Sequence, residues 1–158
     1  MARSPIPAQA GAPRATLVIK PQRDKSLRNR HPWVFAGSVA RSIGSAGAGE
    51  TVEVVGADGA WLGRGAVSPA SQIRVRIWTF TPDEPVDDDF FRRRLAQALE
   101  VRRPLRGRPE YNAWRLVNAE SDGLPGGIGD RYGHFLGCEL LTAGAPSWKP
   151  VRVPARAA

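Results

Sequence analysis

In the first half of the chain, apolar residues alternate with polar ones and turn residues interrupt them at short intervals, the pattern of short strands. Thr16-Leu17-Val18-Ile19-Lys20 is a β-branched run stopped by Pro21 and predicts a first strand. Lys25, Arg28 and Arg30 follow one another at short spacing, and Pro32 pushes the residue before it out of the helical region. A short basic turn of helix should therefore give way to a strand at Trp33-Val34-Phe35. Burial of these three apolar residues would anchor the basic turn to a core as a positively charged ledge. The apolar piece runs on to Val39, and residues 44–49 read as a small-residue loop. Thr51-Val52-Glu53-Val54-Val55 alternates, and Asp58-Gly59 signals a hairpin into Ala60-Trp61-Leu62-Gly63. Gly63 and Gly65 predict a bulge or a close backbone approach.

Residues 72–80 form the clearest strand. Ile73, Val75 and Ile77 fall on one face, and Arg74, Arg76 and Trp78 on the other. That second face is either a solvated charged surface or one where guanidiniums meet phosphate and an indole stacks on a base. Many short strands joined by Gly, Pro and Asp turns predict a small barrel or sandwich.

After Pro82 the period changes. Residues 83–89 hold five carboxylates, and residues 90–103 place Phe91, Leu95, Ala98 and Leu99 on one helical face. Acidic residues before the first turn, with Arg102 and Arg103 in the last, complement the helix dipole, and Pro104 ends the helix. Gly107-Arg108-Pro109 reads as a second linker. Residues 114–119 and 134–142 predict strands, with a turn-rich loop at 120–126. Pro146, Pro150 and Pro154 rule out a continuous helix in the tail.

Charge sharpens the contrast between the halves. Of a net charge of +8 on 158 residues, residues 1–82 carry eleven Lys/Arg against four Asp/Glu, and residues 83–158 carry twelve against eleven. A basic N-terminal half points to nucleic acid or an anionic surface, and the lack of a long basic amphipathic helix disfavours a membrane surface. No apolar run approaches the length of a membrane span. Residues 1–15 have no hydrophobic stretch of signal-peptide type and are expected to be a disordered leader. The lone cysteine, Cys138, fits a reducing cytoplasm and reads as a small core residue.

Candidate chemistry is sparse. Asn118-Ala119-Glu120-Ser121-Asp122-Gly123-Leu124-Pro125-Gly126 clusters two carboxylates at a glycine turn, but no further ligand follows at metal spacing, so it reads as a tight polar turn. Gly127-Ile128-Gly129 falls short of a dinucleotide fingerprint, because the last glycine comes one position late, at Gly133. No catalytic, cofactor or metal residue is expected. RNA contacts are expected from Lys25, Arg28, Arg30, Arg74, Arg76 and Trp78, on charge and strand periodicity.

Three separated motifs, His31-Pro32-Trp33-Val34-Phe35, Ser68-Pro69-Ala70-Ser71-Gln72-Ile73-Arg74, and residues 120–126 with Asp130-Arg131-Tyr132-Gly133, occur in an informative order. Over residues 17–148 the chain resembles the class I SAM-dependent methyltransferases that make 5-methylcytosine in large-subunit ribosomal RNA. The resemblance implies an α+β fold. Residues 16–82 would be a PUA-like RNA-binding β-barrel, and 83–110 an acidic linker and amphipathic helix. Residues 111–144 would be the opening strands of an incomplete α/β central domain, and 145–158 an irregular tail. The family usually has aliphatics where Gly127 and Gly129 stand, which weakens a strand there. Its SAM-binding glycine loop and catalytic cysteines find no match, so a truncated, frame-altered or partial form of the family pattern is expected. Such a chain would bind RNA in the cytoplasm, with large-subunit rRNA as the expected partner, without catalysing methylation itself. S-adenosylmethionine is implied for the full-length family, and neither DNA nor membrane is expected as partner. Two rival functions remain: a stand-alone RNA-binding adaptor, and a protein–protein module using its basic face.

Overall fold

The computed structural model describes residues 15–106 and 110–148, together with Pro13 and Arg108. The expected leader, apart from Pro13 and Ala15, and the tail beyond 148 lie outside the described residues, as do Gly107 and Pro109 of the second linker. In chain order come β1 (Ala15–Ile19), α1 (Lys25–Arg28), β2 (Trp33–Phe35), a 3-10 turn (Ala36–Ser38), β3 (Val39–Gly44), β4 (Thr51–Val55), β5 (Trp61–Val67) and β6 (Ile73–Thr79). They build one six-stranded sheet in the order β2-β6-β5-β4-β1-β3, antiparallel except where β1 runs parallel to β4.

Connectivity dictates the shape of this sheet. Its two edge strands, β2 and β3, are joined by only the three residues Ala36–Ser38. That link reaches at most about 14 Å, whereas six flat strands would span about 24 Å from edge to edge. The sheet must therefore curl into a half-barrel. Inside the curl, Ile19, Leu27, Val34, Val52, Val54, Val75 and Ile77 form the first core. The expected close approach at the paired glycines is present. A Cβ on Gly65 would collide with the Arg76 backbone, one on Gly63 would sit 3.1 Å from the Ile77 side chain, and the β5–β6 register shifts between Arg64 and Gly65. The Asp58-Gly59 hairpin joins β4 to β5, with Gly59 at φ 80° where a side chain would be strained.

The second half is organised by α2 (Asp88–Val101). Asp87 caps it by accepting the Phe90 amide at 2.8 Å, and Asp88 and Asp89 occupy its first turn. A 3-10 turn at Arg103–Leu105 contains the terminating Pro104. Then follow β7 (Ala113–Asn118), a 3-10 turn (Ala119–Asp122), β8 (Gly127–Tyr132), β9 (Phe135–Leu140) and a last 3-10 turn (Ala145–Trp148). These strands make an antiparallel sheet, β7-β8-β9. The second core is shared across the molecule. Ala66 and Trp78 from the first sheet meet Phe90, Phe91, Leu95, Ala98 and Leu99 of α2, then Leu116, Val117, Leu124 and Ala145.

Four details differ from the sequence expectation. β3 extends through what read as apolar tail and small-residue loop, and its largely exposed side chains left no alternation to detect. β8 is a full central strand despite Gly127 and Gly129, because Gly129 packs against Val117 across the ladder, where a Cβ would lie 3.4 Å from its side chain. Phe35 is 48% exposed although its strand neighbour Val34 is buried. Cys138 is exposed on β9 rather than buried in a core, since β9 is an edge strand whose residues are open to solvent.

Candidate nucleic-acid interface

The basic segment stands on two buried residues, Leu27 from α1 and Val34 from β2. Between them Arg30 takes a left-handed conformation, φ 60°, while its amide donates to the Leu27 carbonyl at 2.8 Å and the His31 amide to the Ser26 carbonyl at 2.9 Å. This closes the helical turn as a left-handed C-terminal cap and turns the chain into β2. The guanidinium of Arg28 is committed. It donates to Asp24 at 2.8 Å and to Asp58 on the β4–β5 hairpin at 2.9 Å. Those hydrogen bonds, that of Asp24 above all, raise its pKa above the ordinary arginine value. The Asp58 carboxyl is lowered, first by the Ala60 amide and next by Arg28. Among the described residues Arg23, Lys25 and Arg30 are exposed and form no ion pair, so their charge faces solvent uncompensated.

Directly after Arg30, an aromatic row runs along the edge strand. His31, Trp33 and Phe35 lie two apart; His31 and Trp33 meet edge-to-face at 5.5 Å, and Trp33 and Phe35 at 6.3 Å. Sequence reasoning treated Trp33 and Phe35 only as anchors. The period-two spacing from His31 to Phe35 was the signal that they could share a face.

The β6 face is not the wet surface it was expected to be. Trp78 is 4% exposed and packs edge-on against Phe91 at 5.3 Å, because α2 lies over this part of the sheet. Its indole offers no stacking plane to a base, which corrects that expectation. Arg74 and Arg76 do not form one basic face either. Arg74 lines a cavity beside Leu17 and Val67, while Arg76 lies 3.5 Å from Glu120. Of the six residues expected to contact RNA, Lys25, Arg28 and Arg30 are therefore grouped around α1, and the other three lie elsewhere.

Glu120 explains the carboxylate-rich loop. Its Oε1 accepts the Trp33 indole N–H at 2.8 Å and faces Arg76, tying the second sheet to the first across 87 positions of sequence. Asp122 pairs with Arg102 at the end of α2 at 2.9 Å, Leu124 is fully buried, and Gly123 takes φ 67° against Arg94. The loop is a structural joint. Gly127 and Gly129 lie within β8, and a side chain on Gly126 would collide with Thr142.

Residues 17–80 match the PUA-like domain family, so the curled sheet with its basic turn is a PUA-like domain. The chain is 52% identical over 139 residues to ribosomal RNA large subunit methyltransferase I of Cronobacter sakazakii, covering 88% of this chain and 35% of that protein. The same-named proteins of Escherichia coli and Salmonella arizonae are 54% and 55% identical over 129 residues, with 82% of this chain and 33% and 32% of theirs covered. The chain spans about a third of the length of these relatives. Its fold extends to distant structures. A Streptococcus mutans protein assigned as a SAM-dependent methyltransferase superposes with a TM-score of 0.75 at 15% identity, over 89% of this chain and 36% of that one. A second, assigned as a methyltransferase and complexed with SAH, gives 0.70 at 14% identity, over 86% and 37%.

Proposed function

We propose that this chain is the RNA-holding part of a SAM-dependent methyltransferase that makes 5-methylcytosine in large-subunit ribosomal RNA, acting in the cytoplasm. Lys25 and Arg30 contact phosphates, and exposed Phe35 offers an edge for an unstacked base. The observation that carries this reading is the group of exposed cations without ion pairs, Arg23, Lys25 and Arg30, on a PUA-like domain. The relatives' name supplies the substrate class, ribosomal RNA. Among the described residues no helix is long and apolar enough to cross a membrane.

Fluorescence anisotropy with a structured rRNA hairpin over a salt series tests it. If about four phosphates are neutralised, log K falls against log salt with a slope of about −3 to −4. A flat response removes nucleic acid as the partner and leaves the protein–protein reading.

A further inference from the structure

Most part-buried arginines in this molecule are satisfied. Arg64 meets Glu53, Arg76 meets Glu120, Arg94 meets Glu84, Arg102 meets Asp122, and Arg131 donates to the Gly133 carbonyl. Arg74 stands apart. Its Nε is buried with no partner, and among the described residues its side chain forms no hydrogen bond or ion pair. Buried polar groups without partners are rare in native folds, and each calls for an explanation.

The surroundings of Arg74 supply one. It lines a cavity of about 360 Å³ formed between β1, β3 and the ends of β5 and β6, where the half-barrel curls without closing. Apart from Ser42, the remaining lining is apolar and includes Leu17, Val39, Val67 and Pro69. A volume of this order suits a small molecule. Apolar lining side chains around a single cation disfavour a bare phosphate, whose charge would lose its water for a single charged partner. They favour a flat, neutral group that buries its faces and presents acceptors along one edge. Guanine has that character, since its O6 and N7 accept a guanidinium in bidentate fashion.

We propose that this cavity receives a single unstacked nucleobase, with guanine preferred, whose acceptor edge meets Arg74. This rests on the RNA reading above but concerns a separate place, since neither Lys25 nor Arg30 lines the cavity. Ala36, at the cavity wall, directly follows Phe35, the last residue of the aromatic row.

Nitrogen–proton NMR titrations of the full chain test the proposal with four probes: guanosine, 7-deazaguanosine, inorganic phosphate, and a single-stranded tetranucleotide containing one guanosine. Guanosine is expected to shift the Leu17, Val67 and Ala36 amides, and loss of N7 in 7-deazaguanosine to weaken binding about tenfold. Arg74→Gln should weaken guanosine about tenfold, whereas Arg30→Gly should leave it unchanged. Ala36→Leu, which fills the cavity but keeps Arg74, should abolish the shifts and covers the case in which the Arg74 variant does not fold. The tetranucleotide should bind more tightly than guanosine at low salt and equally at high salt if the base arrives on RNA; equal binding throughout identifies a free nucleoside as the ligand. Shifts produced by phosphate alone, or guanosine shifts that survive in Ala36→Leu, overturn the proposal. Salt-dependent RNA binding with no nucleoside effect overturns this inference and leaves the proposed function standing. Loss of RNA binding with intact guanosine shifts does the reverse.

Discussion

The two sheets bury their apolar surface by different means. In the first, the three-residue link between β2 and β3 forces a curl, and the concave face closes over its own residues, with Val52, Val54, Val75 and Val34 almost fully buried. The second sheet borrows its core. Leu116 and Val117 of β7 and Leu124 of the following loop bury themselves against α2 and against Trp78 of the first sheet. Among the described residues nothing covers its far edge, and on β9 Phe135 and Leu136 are 80% and 53% exposed. A curled sheet can cover its own concave face, whereas a short three-stranded sheet depends on neighbours. An uncovered apolar edge of this kind is open to pairing with another strand.

The largest effect should come from placing the same charge in the two regions. Val75→Asp puts an unpaired carboxylate into the first core and should abolish cooperative thermal unfolding, since the penalty of several kcal/mol approaches the whole stability of a small domain. Leu136→Asp on β9 should leave the melting transition in place. Comparable losses from both variants would show that the second sheet is packed as tightly as the first.

Next in size is the joint between the sheets. Glu120→Ala leaves the Trp33 indole and Arg76 without their shared acceptor and should cost about 1–3 kcal/mol in urea unfolding. It should also alter tryptophan fluorescence. Two separated unfolding transitions, with the first sheet the more stable, would sharpen the contrast; an unchanged curve would show that the Glu120 contacts do not hold the halves together.

A smaller change is expected at Arg30. Its left-handed backbone costs a residue with a Cβ about 1 kcal/mol, which glycine escapes. Arg30→Gly should therefore hold or slightly raise stability while it weakens RNA binding. Smallest of all is the tie from α1 to the hairpin. The Asp58 carboxyl titrates below its ordinary range in the folded chain, so its contribution is present above that range and fades as pH falls through the lowered folded value. Arg28 stays protonated throughout. Asp58→Asn should melt slightly earlier at neutral pH and converge with the unaltered protein in acid.

Much of the fold was legible because the strands of the first sheet carry their alternation locally, and period two identified Val75 and Ile77 as core. The other face of β6 was misread because a strand's alternation shows two faces without showing what lies over the second. The missing signal was α2 itself, whose stripe of Phe91, Leu95, Ala98 and Leu99 required an apolar surface that Trp78 and Ala66 provide. β8 was obscured by glycines whose value lies in the space they leave for β7. The role of Glu120 could not be read locally, since its partners Trp33 and Arg76 come from the other sheet. By contrast, the basic turn was legible because Leu27, Pro32 and Val34 define its footing within a few residues.

The central claim is that the ledge around α1 holds RNA. The most direct measurement is anisotropy of the rRNA hairpin with the unaltered chain and with Lys25→Ala/Arg30→Gly, both shown folded by their melts, across a salt series. Removal of two phosphate contacts should weaken binding at low salt and reduce the magnitude of the salt slope by about 2. Unchanged affinity and an unchanged slope in the folded double variant would contradict the account.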